Sequence, residues 1–168
     1  MRKNLRKNLF LFLLVPVLFY SCEEKTRYQS SLILRNQTDG KISVQLFPKA
    51  EFLLDDLYKT SSISNGYNVT TFEIAIGMDE DIFVSDDLQI QSWQLLAEVF
   101  DSIHIDTSGE KPKLLRFLPD KVNGYSQNMY SESDGWIFEL RNFDMPTQLK
   151  QNPVESHDHI FVLSKDNY

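Results

Sequence analysis

A mainly β chain is what this sequence predicts: one domain of about seven or eight short strands and one short helix, built as a β-sandwich or a partly closed barrel. Three observations carry that expectation. Apolar residues recur at every second position in many short segments. Turn-forming pairs such as Asp39-Gly40, Asn65-Gly66 and Ser108-Gly109 separate those segments. Only Ser92 to Phe100 repeats its apolar residues at three- and four-residue spacing.

Taken in order, Ser31 to Arg35 is a short apolar strand, turned by Asn36 to Gly40. Ile42, Val44 and Leu46 then alternate with Ser43 and Gln45, and the two segments are expected to pair as an opening hairpin closed by Pro48. Residues 52–60 fit either a helical turn or an irregular edge strand. After Asn65-Gly66, Phe72, Ile74 and Ile76 share one face of a strand over 70–76, which Gly77 ends. Ile82 and Val84 point inward from a short strand over 81–85. Trp93, Leu96, Ala97 and Phe100 make the apolar face of a helix over 92–100, with Asp86, Asp87 or Ser92 as its cap. The period then returns to two: Ile103 and Ile105 alternate with Ser102, His104 and Asp106. A turn at Ser108-Gly109 leads into a strand over 113–118 and a second hairpin. Residues 119–134 form a long polar connection that carries Tyr125, Met129 and Tyr130, and a connection of that length needs a task or packing of its own. Trp136, Phe138 and Leu140 share one face of the next strand. A second long connection, 143–157, holds Pro146 and Pro153. The closing strand runs from His159 to Leu163, and its unbroken apolar run Ile160-Phe161-Val162-Leu163 predicts burial on both faces.

Ahead of this domain lies a different kind of segment. Arg2, Lys3, Arg6 and Lys7 precede an apolar run from Leu9 to Tyr20, with no acid before Glu23. The run is shorter than the roughly 20 residues a spanning helix needs, and Pro16 disfavours a permanent helix. The order of charged head, short apolar core and small residue is that of an export signal. No alanine precedes Ala50, so an ordinary small-residue cleavage site fits poorly. Cys22 is the only cysteine and has no partner for an internal disulfide.

The segment Leu18-Phe19-Tyr20-Ser21-Cys22 resembles the lipobox of bacterial lipoproteins of Gram-negative cell envelopes, with Phe19 standing where that family usually has Leu. The resemblance implies a diacylglyceryl group on the Cys22 sulfur, cleavage just before it, and acylation of the new amine. Each buried methylene contributes about 0.8 kcal/mol, and several acyl chains give stable anchoring where one does not. The chain then divides into a signal peptide over 1–21, a flexible tether over 22–30, and a β-rich domain over 31–168. The expected location is the outer membrane, on the periplasmic face or the cell surface. Acids just after the lipidated cysteine, here Glu23-Glu24, resemble a surface-display signal in some lineages; a solvated tether explains them equally well.

Removal of the first 21 residues takes away four of the 17 basic side chains and no acid, leaving 13 against 24 and a net charge of −11. Such a surface repels nucleic acid and anionic lipid, so neither is expected as a direct partner. With 12 Phe, 7 Tyr and 2 Trp, the chain has the apolar content for a packed core and is not a disordered polyanion.

The candidate chemistry is sparse. His157-Asp158-His159 sets two imidazoles on one face of a strand with a carboxylate between them; His157 and His159 are weak metal candidates, lacking a third protein ligand unless His104 joins them. Ser102, His104 and Asp106 have triad chemistry, but adjacent members sit nearly 7 Å apart by strand rise, and one extended strand supplies a triad's hydrogen-bond contacts poorly. Asp79-Glu80-Asp81 and Asp86-Asp87 lack the spacing of a calcium loop and fit a turn and a helix cap. Tyr125, Tyr130 and Trp136, in or beside the long connection, are candidate binding residues for a glycan or a protein; their alternative is to plug a core beneath it. The expectation is a non-catalytic, lipid-anchored binding or accessory domain without a cofactor. Its rivals are an envelope hydrolase or metal-dependent enzyme using His104, His157 and His159, and an assembly accessory of an outer-membrane complex.

Overall fold

A computed structural model of the chain describes residues 26–52, 61–63, 70–85, 92–131, 135–146 and 151–168. The leader, Cys22, the ambiguous stretch 53–60, the Asn65-Gly66 turn and Asp86-Asp87 lie outside the described residues. Ten strands are described: β1 (Arg27–Gln37), β2 (Ile42–Pro48), β3 (Ser61–Ile63), β4 (Thr71–Ile74), β5 (Asp79–Ser85), β6 (Phe100–Thr107), β7 (Leu114–Leu118), β8 (Lys121–Asn123), β9 (Trp136–Pro146) and β10 (Gln151–Ser164). One α-helix, α1 (Ser92–Val99), precedes β6, and a 3-10 turn over Lys165–Asn167 follows β10. The strands form two five-stranded sheets, β3-β5-β1-β10-β9 and β4-β2-β6-β7-β8, and neither sheet closes on itself. The fold is a β-sandwich.

The two sheets bury one shared core. Leu32, Leu34, Phe83, Phe161 and Leu163 from the first sheet meet Ile42, Val44, Leu46, Ile103, Ile105, Leu115 and Phe117 from the second. Alternation along each strand supplies these residues, because every second side chain points to the same face. Their aromatic rings meet edge to face: Phe117 lies 5.9 Å from Phe161, and Phe83 lies 6.5 Å from Phe100. That geometry adds about 0.5–1.5 kcal/mol per pair beyond burial. A bulge between Leu32 and Ile33 in the β1–β5 ladder breaks the alternation of β5, so Ile82 and Phe83 are both buried. Val84, expected inward, is only half-buried. The helix is one residue shorter than expected, since Phe100 opens β6, and its buried face is Leu95, Leu96 and Val99.

The expected opening hairpin does not form. β1 pairs with β10 and β5, whereas β2 pairs with β4 and β6, so 38–41 is an arch that carries the chain from one sheet to the other. The reason is Asn36, which is fully buried. Its amide nitrogen donates to the Gly40 carbonyl at 2.9 Å and the Ile74 carbonyl at 3.0 Å. Its Oδ1 accepts from the Thr38 amide at 3.0 Å and the Thr38 hydroxyl at 2.8 Å. Its own backbone donates to Met78 O at 3.0 Å and accepts from Gly77 N at 2.7 Å. A second arch, 75–78, crosses from β4 to β5 here, and Gly77 turns it with φ +74°. The β6–β7 hairpin, which does form as expected, docks on the first arch: the Ser108 hydroxyl donates to Lys41 O at 2.6 Å. Gly40 and Gly109 pack backbone to backbone, where a Cβ on either would collide.

Several expected boundaries move. β4 ends at Ile74 and not at 76, because the chain leaves the sheet there for the second arch, and Ile76, expected to share the face of Phe72 and Ile74, is exposed. β1 begins at Arg27, so residues 27–30 belong to the sheet, paired with Val154 to His157, rather than to a tether. The connection expected over 143–157 is mostly strand: Phe143 to Pro146 pair with Gln151 to Val154. Within 119–134 lies the short strand β8. β3 and β8 account for the two strands beyond eight. β10 lies between β1 and β9, parallel to the first and antiparallel to the second, and Ile160, Phe161 and Leu163 are buried across its two faces.

Replacing Asn36 by Ala leaves the carbonyls of Gly40 and Ile74 without that donor inside the core. The expected loss is about 2–4 kcal/mol of unfolding free energy, read as a lowered urea midpoint at unchanged slope. Gln37→Ala, on the exposed neighbour, is expected to stay within about 0.5 kcal/mol of the parent.

Candidate functional site

The aromatic residues of the long connection lie inside the fold. Tyr125 and Tyr130 are each 7% exposed and join the central core. The Tyr125 hydroxyl donates to Val162 O at 3.3 Å and accepts from Ser164 N at 2.9 Å. The Tyr130 hydroxyl donates to Phe100 O at 3.4 Å, and its burial pushes that phenol far above its ordinary pKa. The Trp136 indole nitrogen donates to Met129 O at 3.0 Å, and its ring packs 5.5 Å from Phe161. Their rings and polar atoms are thus engaged within the protein, which is the core-plug arrangement and not an exposed stacking surface. The length of the connection is explained by this packing.

The three histidines do not converge. His104 lies on the outer face of β6, opposite to the buried Ile103 and Ile105, with its ring 4.6 Å from Phe47. Ser102 Oγ is 3.4 Å from His104 Nε2, and Asp106 lies exposed further along the strand. Burial lowers the His104 pKa, helped by Arg116. His157 and His159 stand on the opposite sheet, on the face of β10 that carries Phe161 and Leu163. The core of the sandwich therefore separates His104 from the other two. Among the described residues no group of three His, Cys, Asp or Glu side chains is placed to hold a metal ion.

What His157 and His159 do line is an apolar surface on β9. Phe138 packs edge-on against both imidazoles, 5.7 Å from His157 and 5.2 Å from His159. His157 Nε2 lies 3.0 Å from Glu155 Oε1. Burial lowers the His159 pKa, and the nearby His157 lowers it further. Trp136, Phe138 and Leu140 share a face as their alternation predicts, but only Trp136 reaches the core. Phe138 is 54% exposed, Leu140 58%, and Ile137 on the reverse face 44%. Phe138 and Leu140, side by side on one face of a strand at the margin of its sheet, form an apolar patch of the kind that marks an interaction site, and Ile137 is exposed behind them.

The reverse face of the same sheet carries a polar row. Ser31, Ser156 and Asp158 are buried there, at most 3% exposed. Ser156 donates a short hydrogen bond to Asp158, and Ser31 Oγ lies 3.3 Å from Ser156 Oγ. Arg141 Nε reaches Asp158 at 2.9 Å, so the buried carboxylate is both paired and hydrogen-bonded. One row away, Arg35 forms a two-point ion pair with Asp79 at 2.8 Å, with Glu139 at 3.6 Å. Beside Arg141 a cleft of about 70 Å³ is lined by Ile33, Asp79, Glu80, Asp81 and Arg141 itself. Desolvation pushes the Asp81 carboxyl up to about 6; Arg141 opposes that, and Asp158 and Glu80 reinforce it.

Reasoning from sequence did not single out Phe138, Leu140 or Arg141 as site residues, and took Asp158 only as the carboxylate between His157 and His159. Phe138 and Leu140 follow the alternation of core residues, and nothing local says that the opposing sheet stops short of them. Arg141 lies just past the strand expected to end at Leu140, and Asp158 just before the one expected to begin at His159. No protein-family model matches the chain, and no curated protein matches it either. Among the described residues no helix is long and apolar enough to cross a membrane.

The Asp81 shift has a definite sign. Its folded pKa lies above the ordinary carboxyl value, so the fold prefers the protonated form. That contribution is complete below about pH 4 and is lost as pH rises through about 6. Asp81→Asn is expected to remove this loss and raise stability above pH 6 by about 1–3 kcal/mol, after allowance for its partly open surroundings. Urea midpoints of parent and variant from pH 4 to 7 check it: the gap widens with pH.

Proposed function

We propose that this protein is a lipid-anchored envelope lipoprotein whose β-sandwich serves as a binding or accessory domain, with the exposed surface of β9 as its docking site. The observation that carries the docking role is the exposure of Ile137, Phe138 and Leu140 on a long marginal strand. Leaving such a patch in water is costly, at about 25 cal/mol per Å² of apolar surface. A macromolecular partner that covers it recovers that free energy.

The anchoring role rests on the basic head, the short apolar run and the lone Cys22. The placement of β1 agrees with it. Only residues 23–26 separate Cys22 from Arg27, so the tether spans at most about 15–20 Å. The domain would ride close to the lipid surface rather than at the end of a long leash. Its excess of acids keeps it from lying on anionic headgroups. The flanking His157 and Glu155 give the apolar patch a polar border, as interfaces have.

Mass spectrometry of the protein purified from its own membranes tests the anchor. The expected species begins at Cys22 and carries fatty acyl mass, and Cys22→Ala is expected to move the protein into the soluble fraction. A species that retains residues before Cys22 overturns the anchor. A photo-crosslinker placed at Leu140 tests the docking site: the expected result is adducts that one placed at Lys111, exposed in the β6–β7 loop, does not form.

A further inference from the structure

We infer that the partner of β9 is a second copy of this chain, joined edge to edge so that β9 pairs with β9 across a two-fold axis at Leu140. The inference rests on the docking role proposed for β9 and names its occupant.

The four sheet margins differ sharply. β3, β4 and β8 have three, four and three residues, and short margins are one way that proteins avoid edge-to-edge pairing. β9 has 11 residues, and between Trp136 and Phe143 its only charged side chains are Glu139 and Arg141, of opposite sign. From Trp136 to Phe143 it contains no lysine and no proline, and its ladder with β10 has no bulge. Such a margin offers a row of backbone donors and acceptors to another strand.

Charge decides which strand fits, and in which register. β9 reads Ile137-Phe138-Glu139-Leu140-Arg141-Asn142-Phe143. An antiparallel pair of identical strands centred on Leu140 sets Glu139 against Arg141 of the other copy, twice. The same register sets Ile137 against Phe143, Phe138 against Asn142, and Leu140 against itself. Opposite charges and apolar pairs directly across a ladder each contribute about 0.2–1 kcal/mol, and like charges subtract. Moving the centre to Glu139 or to Arg141 puts two like charges face to face. Moving it to Phe138 sets Glu139 against Ile137 and leaves both charges unmatched. Residues opposite one another share a face, so the exposed apolar side chains of both copies fall side by side. The product is one ten-stranded sheet from two five-stranded ones. When both copies are anchored in one bilayer, the axis stands along the membrane normal and the strands lie along the membrane, which the short tether permits.

Cysteine cross-linking of the full chain in its membrane tests the inference, with the parent, which has Cys22 alone, as control. Opposed residues at the centre have Cα atoms about 4.5–5.5 Å apart, within disulfide range. Leu140→Cys is therefore expected to give a dimer on oxidation. Ile137→Cys alone, about 20 Å from its own copy by strand rise, is expected to give none, and Ile137→Cys mixed with Phe143→Cys is expected to give one. Glu139→Lys, at an exposed position, is expected to weaken the dimer about tenfold in the Leu140→Cys background. The melting temperature of each variant shows that it is folded. Equal self-cross-linking at 137 and 140 overturns the register and with it the inference. Adducts of the Leu140 photo-crosslinker with a different protein, without a dimer, overturn the second copy but keep the docking role. No adduct of either kind overturns both.

Discussion

The carboxamide of Asn36 holds together the end of the sandwich where the chain changes sheets. A sandwich has to move its chain across the core repeatedly, and each crossing exposes backbone groups to an apolar interior. Here two crossings, 38–41 and 75–78, lie against each other, and one buried side chain serves both. Carboxamides suit this position because they carry two donors and a two-lone-pair acceptor in one plane. Thr38 completes the group: its amide donates to Asn36 Oδ1, and its one hydroxyl hydrogen lies between Asn36 Oδ1 and Gly40 O. Because the network is satisfied, burying it costs little, and it excludes the alternative in which β1 and β2 pair as neighbours.

That alternative is the one the sequence suggests most readily. Two alternating segments joined by Asn-Gln-Thr-Asp-Gly look like a hairpin, since Asp-Gly is a strong hairpin signal. Local turn chemistry cannot say whether the next strand pairs with the last one or faces it across a core. The side-chain period was more informative. Alternation at Ile42-Val44-Leu46 and Ile103-Ile105 marks core faces that the structure bears out. The apolar closing run is a central strand, as its lack of alternation implies. The same logic misplaces Phe138 and Leu140, because a strand does not record how far the facing sheet extends. It also misses the strand character of 143–146 and 151–157, where Pro146 and Pro153 and polar residues obscure the pattern. Residues 154–157 are held by their ladder with β1, a long-range fact that no local window contains, and 143–146 are held by pairing with 151–154.

The candidate surfaces owe their properties to the same long ladder. β1, β10 and β9 run on together, and one face of this extension buries Ser31, Ser156 and Asp158 while the other presents Phe138 and Leu140. Asp158 depends on Arg141, and Arg141 sits on the marginal strand beside Glu139. The charged row inside the sheet and the open margin are therefore physically continuous. Whatever settles on β9 meets side chains already positioned by partners deeper in the sheet.

The parallel pairing of β1 with β10 has a consequence for how the domain is made. Gln29 touches Ser156 across 127 residues of chain, so the first strand waits for a neighbour that is made long after it. Loops that long close slowly, and folds rich in distant contacts form correspondingly late. Until residues 151–164 are delivered, β1 and β9 have no shared strand between them, and both offer unpaired backbone. A newly made chain is thus vulnerable to aggregation for as long as residues 151–164 are withheld.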